Sequence, residues 1–204
     1  PPIAAFEPGT EFTYRGEPNL NSGEITKEGW QSNGNSGVWT AEADQLDSSP
    51  TTESISWTIA EDQKVDTLEG HDRLTIEGAD RPALINAGSL KMNRGRDRLR
   101  LRVNVNATAL LNEGTINMGK GRDQIDLLTG SLAGEGTIKL GPGNDRFSGF
   151  GQQSMLNGGK GKDELKLPTG RYELLPQEKH WLITQDERAM MISSIETVGG
   201  LQTP

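Results

Sequence analysis

Apolar and polar side chains alternate one for one in several short stretches of the chain. Leu99, Leu101 and Val103 are separated by Arg100 and Arg102, and Ile116-Asn117-Met118 and Ile138-Lys139-Leu140 keep the same step. A period of two belongs to a β-strand with one buried face, whereas a helix needs apolar positions three and four apart. The pattern therefore predicts many short strands, and the glycines between them predict tight turns.

The strands recur in a fixed frame. Aligned on a glycine-x-aspartate step, the chain reads "VDTLEGHDRLTI" from residue 65, "LKMNRGRDRLRL" from 90, "INMGKGRDQIDL" from 116, "IKLGPGNDRFSG" from 138 and "LNGGKGKDELKL" from 156. The shared residues are Asp72, Asp97, Asp123, Asp145 and Asp163, at spacings of 25, 26, 22 and 18. An upstream half, "INAGSLKM", "LNEGTINM" and "AGEGTIKL", holds Gly88, Gly114 and Gly136 at a constant distance from the aspartate. Each unit predicts a strand, a glycine turn, a short strand, the glycine-aspartate turn and another strand. A unit of this size cannot close a core alone, so neighbours must stack, each adding one coil ~4.8 Å along an axis. The expected fold is an all-β parallel β-solenoid (β-helix or β-roll) of about five coils over residues 65–168.

The flanks differ. Residues 1–64 carry Trp30, Trp39 and Trp57 between polar turns and lack a glycine-aspartate copy. They predict an N-terminal β-rich cap or small β domain. Residues 169–204 predict a C-terminal β cap, with three strands in 171–198, because a solenoid end otherwise leaves an unpaired strand edge and an open core.

Composition narrows the partners. Only 32% of the 204 residues are hydrophobic and 5% aromatic, with 26 glycines, which suits strands and turns better than a helical bundle. A formal charge of −8 opposes nucleic-acid or anionic-membrane binding and favours a divalent cation or a basic partner. No apolar run approaches the ~18 residues of a membrane span. The absence of cysteine excludes disulfides and cysteine metal sites.

"GGKGKDELK", residues 158–166, resembles the nonapeptide of hemolysin-type (RTX) calcium-binding repeats, and the other copies match it in part. The segment "YELL…WLITQ…ISSIETV" is similar to the strands that close such arrays. The resemblance implies a right-handed parallel β-roll, a secreted or cell-surface location, and Ca²⁺ held between coils by turn carbonyls and the aspartate carboxylate. It points to Gly143, Asn144, Asp145, Gly159, Gly161 and Asp163 as calcium ligands, and more weakly to Asp72, Asp97 and Asp123. The chain also departs from the family. Met118 and Leu140 replace its first glycine, and His71, Arg96, Arg122 and Lys162 stand immediately before the aspartates.

Aspartates stacked ~5 Å apart repel one another by roughly 3 kcal/mol per pair at an effective dielectric near 20. Calcium would neutralise them with six to eight oxygens. Arg73, Arg96, Arg98, Arg122 and Arg146 would do so without metal, through bidentate forks to the next coil. For the upper coils the sequence favours this arginine ladder, and calcium is expected toward Asp145 and Asp163. His71 and His180 are isolated, and no nucleophile-base pair or paired carboxylates stand out. The expectation is therefore a non-enzymatic structural or interaction module with a protein or cell-surface partner. Its rivals are a carbohydrate-active β-helix enzyme or sugar-binding accessory, and a subunit of a larger assembly.

Overall fold

The computed structural model describes the strands Glu11–Tyr14, Gln31–Ser32, Ser36–Val38 and Gln45–Ser48, residues 57–199, and the strand Leu201–Gln202. Trp30 and Trp39 lie outside the described residues. The chain is all-β, with no helix among the described residues, and its strands stack in parallel into a β-solenoid.

Three faces build the rod. The first stacks Gln45–Ser48, Arg73–Glu77, Arg98–Arg102, Gln124–Leu127, Arg146–Ser148, Glu164–Lys166 and Thr197–Val198, every step parallel. The second stacks Ser36–Val38, Lys64–Asp66, Ser89–Lys91, Thr115–Asn117, Thr137–Gly143, Gln153–Gly161 and Arg188–Ser193, again parallel. The third is shorter, with Trp57–Ile59, Leu84–Asn86, Thr108–Asn112 and Ser131–Ala133. Each coil runs from the third face to the second, turns at the glycine-aspartate corner, and follows the first face onward.

Register explains the alternation in the sequence. Leu74, Leu99, Ile125, Phe147 and Leu165 fall opposite one another on the first face and point inward. Leu90, Ile116, Ile138 and Leu156 do the same on the second. All are at most 2% exposed and belong to one continuous core with Trp57, Leu84, Leu110 and Leu132 of the third face. Each Leu or Ile enclosed in this way contributes about 1.5–3 kcal/mol. The rod therefore depends on stacking rather than on any single coil. Met92, Met118 and Leu140, where the RTX nonapeptide has its first glycine, are fully buried core side chains.

The coil shortens along the axis by withdrawing its third face. The aspartate spacing drops from 26 to 22 to 18. Over the same steps the third-face strand goes from Thr108–Asn112 to Ser131–Ala133 and then to a single bridge between Leu132 and Gly151. The other two faces keep their register from Asp72 to Asp163, and the second shifts only where Gln153–Gly161 meets Arg188–Ser193.

Parallel pairing crosses the boundary expected at residue 64, since Gln45–Ser48 and Ser36–Val38 lie on the first two faces. At the other end the faces also run past residue 168, through Arg188–Ser193 and Thr197–Val198. Beyond them, Trp181–Gln185 and Glu173–Pro176 add antiparallel strands to the second face, and Leu201–Gln202 adds one to the first. Arg188–Ser193, paired in parallel on one side and antiparallel on the other, is where stacked coils give way to a hairpin cap.

Candidate functional site

The five repeat aspartates come together at the corner between the second and first faces. Two features force this approach. The residue four before each aspartate, namely Leu68, Asn93, Gly119, Gly141 and Gly159, takes a left-handed backbone that turns the chain, with φ of 61°, 59°, 97°, 106° and 106°. The residue two before each aspartate is glycine, and it lies directly against the coil beneath. A Cβ on Gly121 would stand 1.6 Å from the Gly95 carbonyl oxygen, and one on Gly143 would stand 1.6 Å from that of Gly121. Only a missing side chain lets the coils close there.

The turn aims each carboxylate into the rod, where Asp72, Asp97, Asp123, Asp145 and Asp163 are 1–2% exposed. Each Oδ1 described next accepts a hydrogen bond from the backbone N–H of the aspartate one coil earlier. Asp72 donates to Asp97 at 2.9 Å, Asp97 to Asp123 at 2.8 Å, Asp123 to Asp145 at 2.7 Å and Asp145 to Asp163 at 2.8 Å. Glu196 supplies a further rung, its Oε2 accepting from the Asp163 N–H at 2.6 Å. The corner is thus a ladder of carboxylates and amides in which every rung belongs to two coils.

The arginine pairing expected for the upper coils is corrected by this arrangement. Asp97, Asp123, Asp145 and Asp163 face inward onto amides, while Arg96 and Arg122 sit exposed on the outside. The flanking arginines find neighbours in their own outer row. Arg98 Nη2 donates to Gln124 Oε1 at 2.6 Å, and Arg146 Nε to Glu164 Oε2 at 2.7 Å. The reason is geometric: alternation sends residues next to an inward aspartate outward.

One oxygen per rung is left over. Oδ2 of Asp97, Asp123, Asp145 and Asp163 is buried without a hydrogen-bond partner. Burial is the main cause that raises these carboxyls above their ordinary 3.8, against the lowering effect of the amide bonds and with help from neighbouring carboxylates. Asp97 is pushed up to about 8, Asp123 to about 7, and Asp145 and Asp163 to about 6.

Calcium, which the resemblance implies, fits this corner poorly. The ion takes six to eight oxygens. Here each carboxylate commits Oδ1 to an amide of the adjacent coil, and the glycine carbonyls press onto the next glycine. Among the described residues no group of three His, Cys, Asp or Glu side chains is placed to hold a metal. At the expected C-terminal site, Asn144 is exposed and accepts from the Lys162 N–H at 3.0 Å rather than converging with Asp145 and Asp163. Gly143 and Gly161 pair with each other in the sheet, as Gly159 does with Gly141. Protonation relieves a buried, unpaired carboxylate oxygen without any of these groups moving.

Two other polar features were not singled out from the sequence. Asn86 and Asn112, both fully buried, form a side-chain ladder between coils with Nδ2 to Oδ1 at 2.7 Å. Their signal was an asparagine two residues before Gly88 and Gly114. Glu196 carried no signal, because it sits outside any glycine-aspartate copy.

Where the third face withdraws, a groove of about 770 Å³ opens, lined in part by Asp126, Phe150, Lys166, Tyr172, Gln185 and Arg188. Tyr172 meets Phe150 edge-on at 5.0 Å, and the Arg188 guanidinium lies 5.9 Å from the Phe150 ring centre. Phe147, the other aromatic of the array, is buried in the core.

Fold and corner together define a parallel β-solenoid stitched by a buried carboxylate ladder. No family model, curated protein or solved structure matches the chain.

Proposed function

We propose that the protein is a non-enzymatic, RTX-like solenoid that serves as a secreted or cell-surface structural and interaction module, presenting its outer rows to a protein or surface component. The carboxylate-amide corner carries this reading. Its most chemically distinctive side chains are buried and engaged in joining coils, as a scaffold requires, and are closed to a substrate. In this reading calcium is dispensable for folding. The test pairs binding with turnover: the full chain is titrated against immobilised acidic and neutral surface polysaccharides and assayed for new reducing ends and unsaturated products. Saturable binding without product supports a module, and product formation from any of them would sink it.

The groove beside Tyr172 supports a second reading, a sugar-binding accessory. Its volume lies within the range of ligand clefts, and Tyr172 offers an aromatic edge with Arg188 and Lys166 nearby. Asp126, 9% exposed, accepts from Gln124 Nε2 at 2.8 Å and is the only carboxylate lining the groove among the described residues. The paired acids of a glycoside hydrolase are therefore not assembled there. Tyr172→Ala should weaken glycan binding at least several-fold if the groove is the contact surface.

A further inference from the structure

Outside the carboxylate ladder, the same corner carries an opposite charge. The outer residues before and after each aspartate stack in register, so Arg73, Arg98 and Gln124 form one row on the first face. His71, Arg96 and Arg122 precede Asp72, Asp97 and Asp123 and form the row beside it. These side chains border a cleft of about 280 Å³. Arg73 and Arg98 are directly opposed on neighbouring strands, a placement in which like charges repel.

Among the described residues nothing acidic is exposed at the cleft surface to offset them. The two acids that line it, Asp72 and Asp97, are each 1% exposed and aim inward. Asp97 is also pushed up to about 8 by burial, so near neutral pH it is mostly uncharged and is a weak counterion. The ion pairs found among the described residues lie elsewhere, between Arg102 and Glu77 and between Arg146 and Glu164. Within the cleft, Arg98 bonds to the neutral Gln124, and the Arg96 N–H donates to His71 Nδ1 at 2.7 Å, which holds the imidazole in place.

A chain of net charge −8 has therefore gathered four guanidinium groups and an imidazole around one concavity with no exposed acid among the described residues that line it. Guanidinium forks bind planar or tetrahedral oxyanions through paired charge-assisted hydrogen bonds. The cleft falls just below the usual size of small-molecule pockets, so it suits one charged group better than a large ligand. We propose that the cleft bordered by His71, Arg73, Arg96, Arg98 and Arg122 is an oxyanion-binding site that takes a phosphate or sulfate group. The site does not rest on the module reading, since an inorganic anion and an anionic glycan would use the same forks.

Calorimetric titration of the full chain at neutral pH, in chelator, tests it with three probes: inorganic phosphate, inorganic sulfate and a short sulfated oligosaccharide. Saturable binding of at least one probe is expected, weakened about tenfold or more in Arg96→Gln/Arg122→Gln. Arg102→Gln, whose side chain pairs with Glu77 away from the cleft, should change affinity less than about twofold. Both arginines of the double variant are exposed, so its circular dichroism and melting point should match wild type. Arg96→Lys/Arg122→Lys keeps the charge and loses the fork; intermediate binding is expected. Preference for the oligosaccharide identifies a glycan group as the source, and equal binding of the inorganic ions identifies a small anion. Failure of all three probes to saturate overturns the proposal, as does binding that the double glutamine variant leaves intact.

Discussion

Asp123 shows what one residue does at the corner. It accepts the Asp97 N–H through its carboxylate and donates its own N–H to Asp145. Asp123→Ala would leave the buried Asp97 amide unsatisfied and open a void, at a cost of about 1–3 kcal/mol for the amide alone. Asp123→Asn keeps an oxygen for that amide and removes the buried charge. Urea unfolding should place the asparagine variant within about 1 kcal/mol of wild type and the alanine variant well below it; similar losses in both would show that the carboxylate has another partner. Gly121 makes a comparable demand with no side chain at all. Gly121→Ala puts a methyl against the Gly95 carbonyl, and neither backbone can move without parting two coils. It should fail to fold or lose most of its stability, as judged by the yield of soluble protein and its melting curve. The sequence located both residues through the glycine-aspartate step. It did not disclose the partner, because Arg96 and Arg122 are adjacent to the aspartates in the chain yet stand on the opposite side of the sheet.

At the level of the element, the ladder behaves as one titrating column. Folding holds its protons more tightly than the unfolded chain does, since the carboxyls rise from 3.8 to about 6, 6, 7 and 8 for Asp163, Asp145, Asp123 and Asp97. The stability this confers is full below the unfolded value and is lost as pH climbs through the folded values. The melting temperature should therefore fall between about pH 4 and about pH 8, and Asp97→Asn should flatten the upper part of that decline. A melting temperature that rises with pH across this window would mean that the column is ionised and neutralised by something else. Strands of the array were legible because alternation of two marks them directly. Glu196 was not, since a rung can be filled by a longer acid on a strand that lacks the glycine turn, and only the pairing of Thr197–Val198 with Glu164–Lys166 brings it into line.

Over the whole molecule, the structure bears out the all-β parallel solenoid expected from stacking short units, and at the corner its coils are joined by bonds from backbone amides to carboxylates. Melting in chelator and in millimolar Ca²⁺ should give midpoints within a few degrees. A calcium site on the native state, at 100 times its dissociation constant, would add about 2.7 kcal/mol and move the midpoint visibly. Neither flank read as solenoid in the sequence, because the faces continue there through strands that lack the motif, such as Gln45–Ser48 and Arg188–Ser193. The changing coil length has its own consequence. Since residues come and go only on the third face between Asp72 and Asp163, from a five-residue strand to a single bridge, the other two faces stay in phase there while the perimeter varies. Within that array, insertions and deletions are therefore absorbed along one side of the rod, and that side is free to diversify by length while the corner opposite changes by substitution.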